Sequence, residues 1–228
     1  MADWLALHGL TAQHCRTILT WDLPPAATRP ADPVWPMAPR DMWTLIADCL
    51  QAGLPTDAIA ETAATTRLHL HTDPGPRAFT LHDDGAGRPV VSARLTGKLS
   101  DLLTLAHEFG HAVQITASGP QMPPVLREVC AGLAEQLVMT ELARRGTDEA
   151  ALLPALFAAR GQRTQGQSRR DLVALLDAPA TPYAYRWNYP LARRIVARLA
   201  PDMAIDRIWP VFHGRRKLAE IVSDLSDK

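Results

Sequence analysis

The stretch Leu105-Ala106-His107-Glu108-Phe109-Gly110-His111-Ala112-Val113 places two histidines four residues apart among apolar residues at helical spacing. This pattern predicts a helix. Side chains four apart share one helix face, with Cβ atoms ~5–6 Å apart, so His107 and His111 can converge on one zinc ion. Glu108 follows the first histidine, and a carboxylate beside metal-bound water can accept its proton. The alternative is a pair of histidines that only fill the core.

The next predicted helix offers a third ligand, which a catalytic zinc site usually takes from the protein. Glu128 and Glu135 lie two turns apart on one face. Ala131 and Gly132 between them are small enough to let the two helices approach closely. We expect Glu128 to be the ligand, and Glu135 to accept a hydrogen bond from a ligand histidine. Cys130 is a rival ligand but points to another face, and Glu135 can alternatively be a plain surface carboxylate.

The flanking sequence predicts a mainly α fold with a small β-sheet. Residues 78–81 and 89–95 have the composition of two strands joined by a turn at 83–87. Helical spacing marks the rest, and Pro210 offers a break in the last helix. The predicted helices cover 3–20, 42–50, 56–66, 100–117, 123–145, 149–160, 168–177, 183–199 and 203–222.

Residues 22–39 hold six prolines and mark the clearest change in composition. Proline at this density removes backbone donors and favours extended chain, which predicts a linker or a strap lying over the domain. We therefore divide the chain into an N-terminal helix with a proline-rich arm, residues 1–40, and a main domain, residues 41–228.

The composition excludes several classes of partner. The chain has 24 basic and 24 acidic residues, so electrostatic binding to nucleic acid or to an anionic membrane is not expected. Three cysteines, at positions 15, 49 and 130, do not form a disulfide framework and favour a reducing compartment. The N-terminus lacks the pattern of a signal peptide, and no uncharged apolar run reaches the ~18 residues of a membrane span. We expect a cytoplasmic protein.

The segment from Arg77 to about Leu142 resembles the thimet oligopeptidase and oligoendopeptidase F family of zinc peptidases. In that family a strand pair precedes a helix with His-Glu-Phe/Leu-Gly-His-Ala, and the following helix supplies a ligand Glu and, seven residues later, a second Glu. The motif that begins at His107 matches, and Glu128 and Glu135 reproduce the seven-residue offset. The resemblance implies a zincin-like (gluzincin) catalytic domain that hydrolyses peptide bonds with zinc.

The family also has a downstream tyrosine-rich segment that contacts the substrate and stabilises the oxyanion. The similar segment here is 182–192, which contains all three tyrosines of the chain. Tyr189, just before Pro-Leu-Ala, best fits the oxyanion tyrosine, since a phenol can donate to the charge of a tetrahedral intermediate. Tyr185, Tyr183 and Arg186 are expected to contact the substrate, with Arg186 where the family has another tyrosine. The alternative is an aromatic core.

Two departures from the family concern the substrate. No histidine lies between Leu142 and Pro182, where the family has one that helps to bind substrate, and His213 is an uncertain substitute. The family's enzymes are much longer, with a helical lobe that walls a deep channel. We therefore expect an opener cleft, or one completed by a partner or a second subunit. If the strand 90–95 is a sheet edge facing the zinc, an extended peptide can pair with it; the alternative is an interior strand.

Three functions are compatible with these residues. The first is a zinc metallopeptidase that uses Glu108-activated water. The second is a zinc hydrolase of a non-peptide amide, or an enzyme that tailors one modified peptide. The third is a non-catalytic binding module that keeps the zinc for structure. Glu108 argues against the third, because structural zinc sites need no base and usually close with four protein ligands.

Overall fold

The computed structural model describes residues 2–25, 30–73, 78–82, 87–177 and 183–226, without the side chains of 163–167. It is mainly helical with a small sheet, as the sequence predicts. The elements are α1 (Ala2–His8), α2 (Ala12–Thr20), α3 (Pro39–Leu50), α4 (Thr56–Thr65), β1 (Arg67–His71), β2 (Phe79–His82), β3 (Pro89–Arg94), α5 (Ser100–Ser118), α6 (Pro124–Arg145), α7 (Leu153–Asp177), α8 (Asn188–Leu199), α9 (Ile205–Phe212) and α10 (Leu218–Ser226), with short 3-10 turns at Asp148–Ala151 and Tyr185–Trp187.

Helices α5 and α6 form the centre of the fold, and glycine at position 110 brings them together. A Cβ on Gly110 would lie 2.7 Å from Ala131 Cα and 2.8 Å from Ala134 Cβ, so only glycine fits this contact. The expectation that Gly132 serves this contact is wrong. Gly132 instead faces α8, where an added Cβ would lie 2.8 Å from a methyl group of Val196.

The sheet has the order β1-β3-β2. β1 runs parallel to β3, and β2 runs antiparallel to it. β3 is therefore an interior strand, and the idea of a free edge at 90–95 is wrong. The reason is that β1 occupies this edge of β3. The sequence analysis did not predict β1, although Leu68 and Leu70 alternate with polar residues. Within the described residues, β2 is an edge strand of the sheet, and it packs next to α5.

The predicted helix 3–20 is two helices, α1 and α2. Gly9 between them has a φ of +62°, and Thr11 caps α2 by accepting a hydrogen bond from the His14 backbone N–H. Both helices belong to the same apolar core as the rest of the fold, through Trp4 and Ile18 among others. The boundary at residue 40 stays a prediction.

Part of the proline-rich segment lies across the N-terminal end of α5, which fits the predicted strap. Val34 pairs with Lys98 in an antiparallel bridge. Asp32 accepts hydrogen bonds from the Ser100 backbone N–H and the Ser100 hydroxyl, at 3.0 and 2.8 Å. Residues 26–29 lie outside the described part. The strap thereby caps the helix that carries the two histidines.

Three predictions of helix boundaries are wrong in the C-terminal half. The helix predicted at 183–199 begins only at Asn188, after the 3-10 turn. The helices predicted at 149–160 and 168–177 form a single helix, α7. The last predicted helix is interrupted after Phe212, where Gly214 has a φ of +63°, and Pro210 lies inside α9. Among the helices that the structure describes, none has both the length and the apolar character needed to cross a membrane.

Candidate metal centre

Helix α5 presents His107, Glu108 and His111 close to its packing interface with α6. One turn separates the two imidazole rings, whose centroids are 4.8 Å apart and whose planes are nearly perpendicular. All three side chains are largely shielded from solvent, and Glu108 and His111 are buried. A buried helix face with two imidazoles and a carboxylate is costly unless the polar groups have partners.

Glu128 on α6 completes a cluster that can hold a metal ion. Its Oε2 lies 3.4 Å from His107 Nε2, and its Oε1 lies 3.6 Å from His111 Nε2. One donor atom from each of the three residues can be chosen so that all lie within 4.8 Å of one another. Donors about 2.0–2.2 Å from one tetrahedral ion are roughly 3.3–3.6 Å apart, and each imidazole Nε2 lies at such a distance from one of the two Glu128 oxygens.

An unpaired oxygen also fits a bound cation. Glu128 Oε2 is buried and has no hydrogen-bond partner among the described residues. Its other oxygen accepts a hydrogen bond from the Tyr185 hydroxyl at 2.7 Å. The nearest described group to Oε2 is His107 Nε2, at 3.4 Å, and a metal ion between these two atoms would satisfy the oxygen more fully.

Glu135 lies behind His107, two turns along α6 from Glu128. Its Oε1 is 2.7 Å from His107 Nδ1, which leaves the Nε2 atom of the ring facing Glu128. Its other oxygen is 3.7 Å from Arg160 Nη1 on α7. The contact between Glu135 and a ligand histidine is the one that the sequence analysis expects, and it would hold the ring in the orientation needed for a metal.

The charges of the metal-free cluster are strongly coupled. Burial alone would lower the pKa of His107, but its contacts with Glu128 and Glu135 raise that pKa well above its ordinary value. Burial lowers the pKa of His111, which is therefore neutral. Without a metal, His107 is then a cation between two carboxylates, and a metal ion would have to displace its proton.

Glu108 is held by a strand residue that the sequence analysis did not identify. The Thr80 hydroxyl on β2 is 2.7 Å from Glu108 Oε2 and 3.1 Å from the Glu108 backbone oxygen. Burial raises the pKa of Glu108, which brings its proton affinity closer to that of a general base at neutral pH. Thr80 lies between Phe79 and Leu81, so alternation along the strand puts its side chain on the opposite face of β2 from theirs. This alternation is the feature by which the sequence could have identified Thr80.

The structure brings two of the three tyrosines to the metal centre. Tyr185 reaches Glu128, and the ring of Tyr189 is 6.0 Å from that of Tyr185 and lines the same cavity as His107 and Glu128. Tyr183 is held elsewhere, where the Asn188 side-chain amide donates a hydrogen bond of 2.7 Å to its hydroxyl and its ring stacks against Trp4.

Arg186 lines the cavity as well and is 3.0 Å from Asp171 on α7. His213, the uncertain substitute for the missing histidine, lies in a different cleft beside His8. The metal centre opens into a cavity of about 770 Å³. Helices α7 and α8 form its opposite wall, and the strap forms part of its rim. Basic residues that line it are Arg94, Lys98, Arg160, Arg186 and Arg193.

No protein-family model, curated protein or solved structure matches this chain.

Proposed function

We propose that this protein is a zinc-dependent metallopeptidase with a zincin-like catalytic domain, similar to the thimet oligopeptidase and oligoendopeptidase F family. The convergence of His107, His111 and Glu128 carries the proposal, since their separations suit one tetrahedral ion. Glu108 lies beside this cluster as a buried carboxylate, and a purely structural metal would not need it. The set of two imidazoles and one carboxylate suits zinc and leaves one coordination position open.

Zinc in this position would lower the pKa of a bound water and polarise the carbonyl of the scissile bond. Glu108 would accept a proton from the attacking water and would pass it to the leaving amine. Thr80 holds one of its oxygens and so fixes the carboxylate in place. Tyr189 donates a hydrogen bond to the oxygen of the tetrahedral intermediate, while Tyr185 holds Glu128.

An extended peptide fits the site better than a compact amide does. Strand β2 borders α5 and has an unpaired edge within the described residues. A peptide that pairs with this edge would pass next to Glu108, because Thr80 on the same strand contacts it. Main-chain hydrogen bonds to a strand edge give affinity for peptides of many sequences.

The test is hydrolysis of a mixed peptide library by the zinc-loaded protein, read by mass spectrometry. We expect cleavage that stops on chelation and returns when zinc is restored. Glu108→Gln should keep the metal and lower kcat by about 10²–10⁴, because general-base catalysis has that size. A protein with stoichiometric zinc that cleaves no peptide would contradict the proposal. Full activity in Glu108→Gln would contradict the role of this carboxylate.

A further inference from the structure

Arg193 on α8 packs against Phe157 and Gly161 of α7 in the wall of the cavity. Its Cζ atom is 3.9 Å from the centroid of the Phe157 ring. On the next turn, a Cβ added to Gly161 would be 3.0 Å from the same Cζ and 3.1 Å from Nε. Glycine in a helix interior is less favourable than alanine, so this residue leaves room for the guanidinium at some cost to the stability of α7.

The guanidinium of Arg193 makes no hydrogen bond or ion pair within the described part of the chain. Burial lowers its pKa, and the charges of Glu135 and Glu128 oppose that shift without contacting the guanidinium. Arg186 differs, since its guanidinium is 3.0 Å from Asp171. The stretch 163–167 of α7, whose side chains are not described, contains no acidic residue. Partly buried cations normally have a carboxylate partner.

The surroundings of Arg193 are cationic once a metal is bound. Three of the carboxylates that line the cavity form the metal centre, and Asp32 is engaged with Ser100. A divalent ion would offset two of the charges of the centre. Arg160 lies beside Glu135. The other basic residues of the cavity exceed the acidic charge that is left, although the chain as a whole has no net charge; they are Arg94, Lys98 and Arg193.

We propose that Arg193 binds a carboxylate group of the substrate, so that the site selects peptides with a free carboxylate near the scissile bond. One face of the guanidinium covers Phe157, and its N–H groups lie at the edges, where a carboxylate can accept two parallel hydrogen bonds. The carboxylate is either the C-terminus of the peptide or an Asp or Glu side chain. This proposal rests on the proposed function, because it concerns the substrate of the same cavity.

The test measures binding by calorimetry to the zinc-loaded Glu108→Gln protein. The probe is the hexapeptide Ala-Phe-Ala-Phe-Ala-Ala, prepared as the free acid, as the C-terminal amide, and as an amide with Glu in the last position. We expect the free acid to bind at least tenfold more tightly than the plain amide. Recovery of affinity in the Glu-containing amide would show that the site also accepts a side-chain carboxylate, and no recovery would restrict the site to the C-terminus.

The preference should disappear in Arg193→Met and weaken in Arg193→Lys, which keeps the charge but lacks the planar fork. Arg198→Met is the matched control, because Arg198 lies on the same helix with its guanidinium 5.4 Å from the Trp21 ring, and it does not line the cavity. A preference that persists in both folded Arg193 variants means that the carboxylate binds the metal, and the proposal is then wrong. Equal binding of all three peptides, or no binding of any of them, also overturns it.

Failure of the proposed function would look different. In that case the wild-type protein would cleave none of these peptides while the difference between acid and amide still depended on Arg193. Cleavage without that dependence would leave the peptidase proposal standing and remove the carboxylate site.

Discussion

The two sides of the cavity differ in how their chemistry is assembled. On the α5–α6 side, the three candidate ligands come from two consecutive helices, and all lie within 21 positions of the sequence, from His107 to Glu128. On the α7–α8 side, Arg193 takes its position from Phe157 and Gly161, more than 30 residues earlier. A local motif therefore identifies the first side, and only the folded chain shows the second.

The two sides also differ in how their charges are balanced. Every carboxylate of the metal centre touches a partner: Glu128 meets His107, His111 and Tyr185, and Glu135 meets His107. Arg193 opposite has an aromatic ring and no acceptor in the described residues. This contrast suggests that the first side is preorganised for an ion, while the second is completed by a ligand.

The largest effect is expected from a substitution that removes a ligand on the α5–α6 side of the cavity and leaves the α7–α8 side unchanged. Glu128→Ala removes the ligand that touches both histidines, so we expect loss of stoichiometric zinc and of all peptide cleavage. Glu141→Ala is the matched control, since Glu141 lies on the same helix but pairs with Arg144 and Arg145 away from the cavity. Metal content and hydrolysis are measured on both variants. Zinc retained at wild-type affinity in Glu128→Ala would contradict the ligand assignment.

The features of the candidate site that the sequence could predict lie on the α5–α6 side of the cavity. Regular apolar spacing predicts α3, α4, α5 and α6 closely, because their buried faces repeat at the helical period. The i, i+4 histidines and the Glu128–Glu135 offset lead to a cluster that the structure brings together. These features depend on short stretches whose geometry is set by the helix itself.

The rest depends on long-range packing that leaves little local signal. β1 is five residues long and rich in polar side chains, so its pairing with β3 was not predicted. Thr80 acts on Glu108 across 28 positions. The stretch Gly161–Gly166 disfavours a helix by propensity, yet α7 runs through it. Tertiary contacts outweigh local preference at such sites.

Smaller effects are expected from Tyr185 and Tyr189, which lie where the α5–α6 side and the α7–α8 side of the cavity meet. Tyr189→Phe should lower kcat by about 10²–10³, the effect of losing one oxyanion donor, with zinc affinity unchanged. Tyr185→Phe should instead weaken zinc binding by about tenfold, because its hydroxyl holds Glu128. Both quantities are measured on both variants. The reverse pattern would assign the oxyanion role to Tyr185 and would place the catalytic phenol on the metal side.

The smallest expected effect concerns the proton that the metal must displace. Because the pKa of His107 lies above its ordinary value, the metal-free cluster holds a proton at pH 7, and zinc affinity should fall as the pH falls. Calorimetry in buffers of different ionisation enthalpy should detect about one proton released per zinc. Glu135→Gln removes one of the two carboxylates that raise the His107 pKa. That variant should release a smaller fraction of a proton and bind zinc about tenfold more weakly. Unchanged proton release in Glu135→Gln would mean that Glu128 alone sets the charge of His107, and that Glu135 only orients the ring.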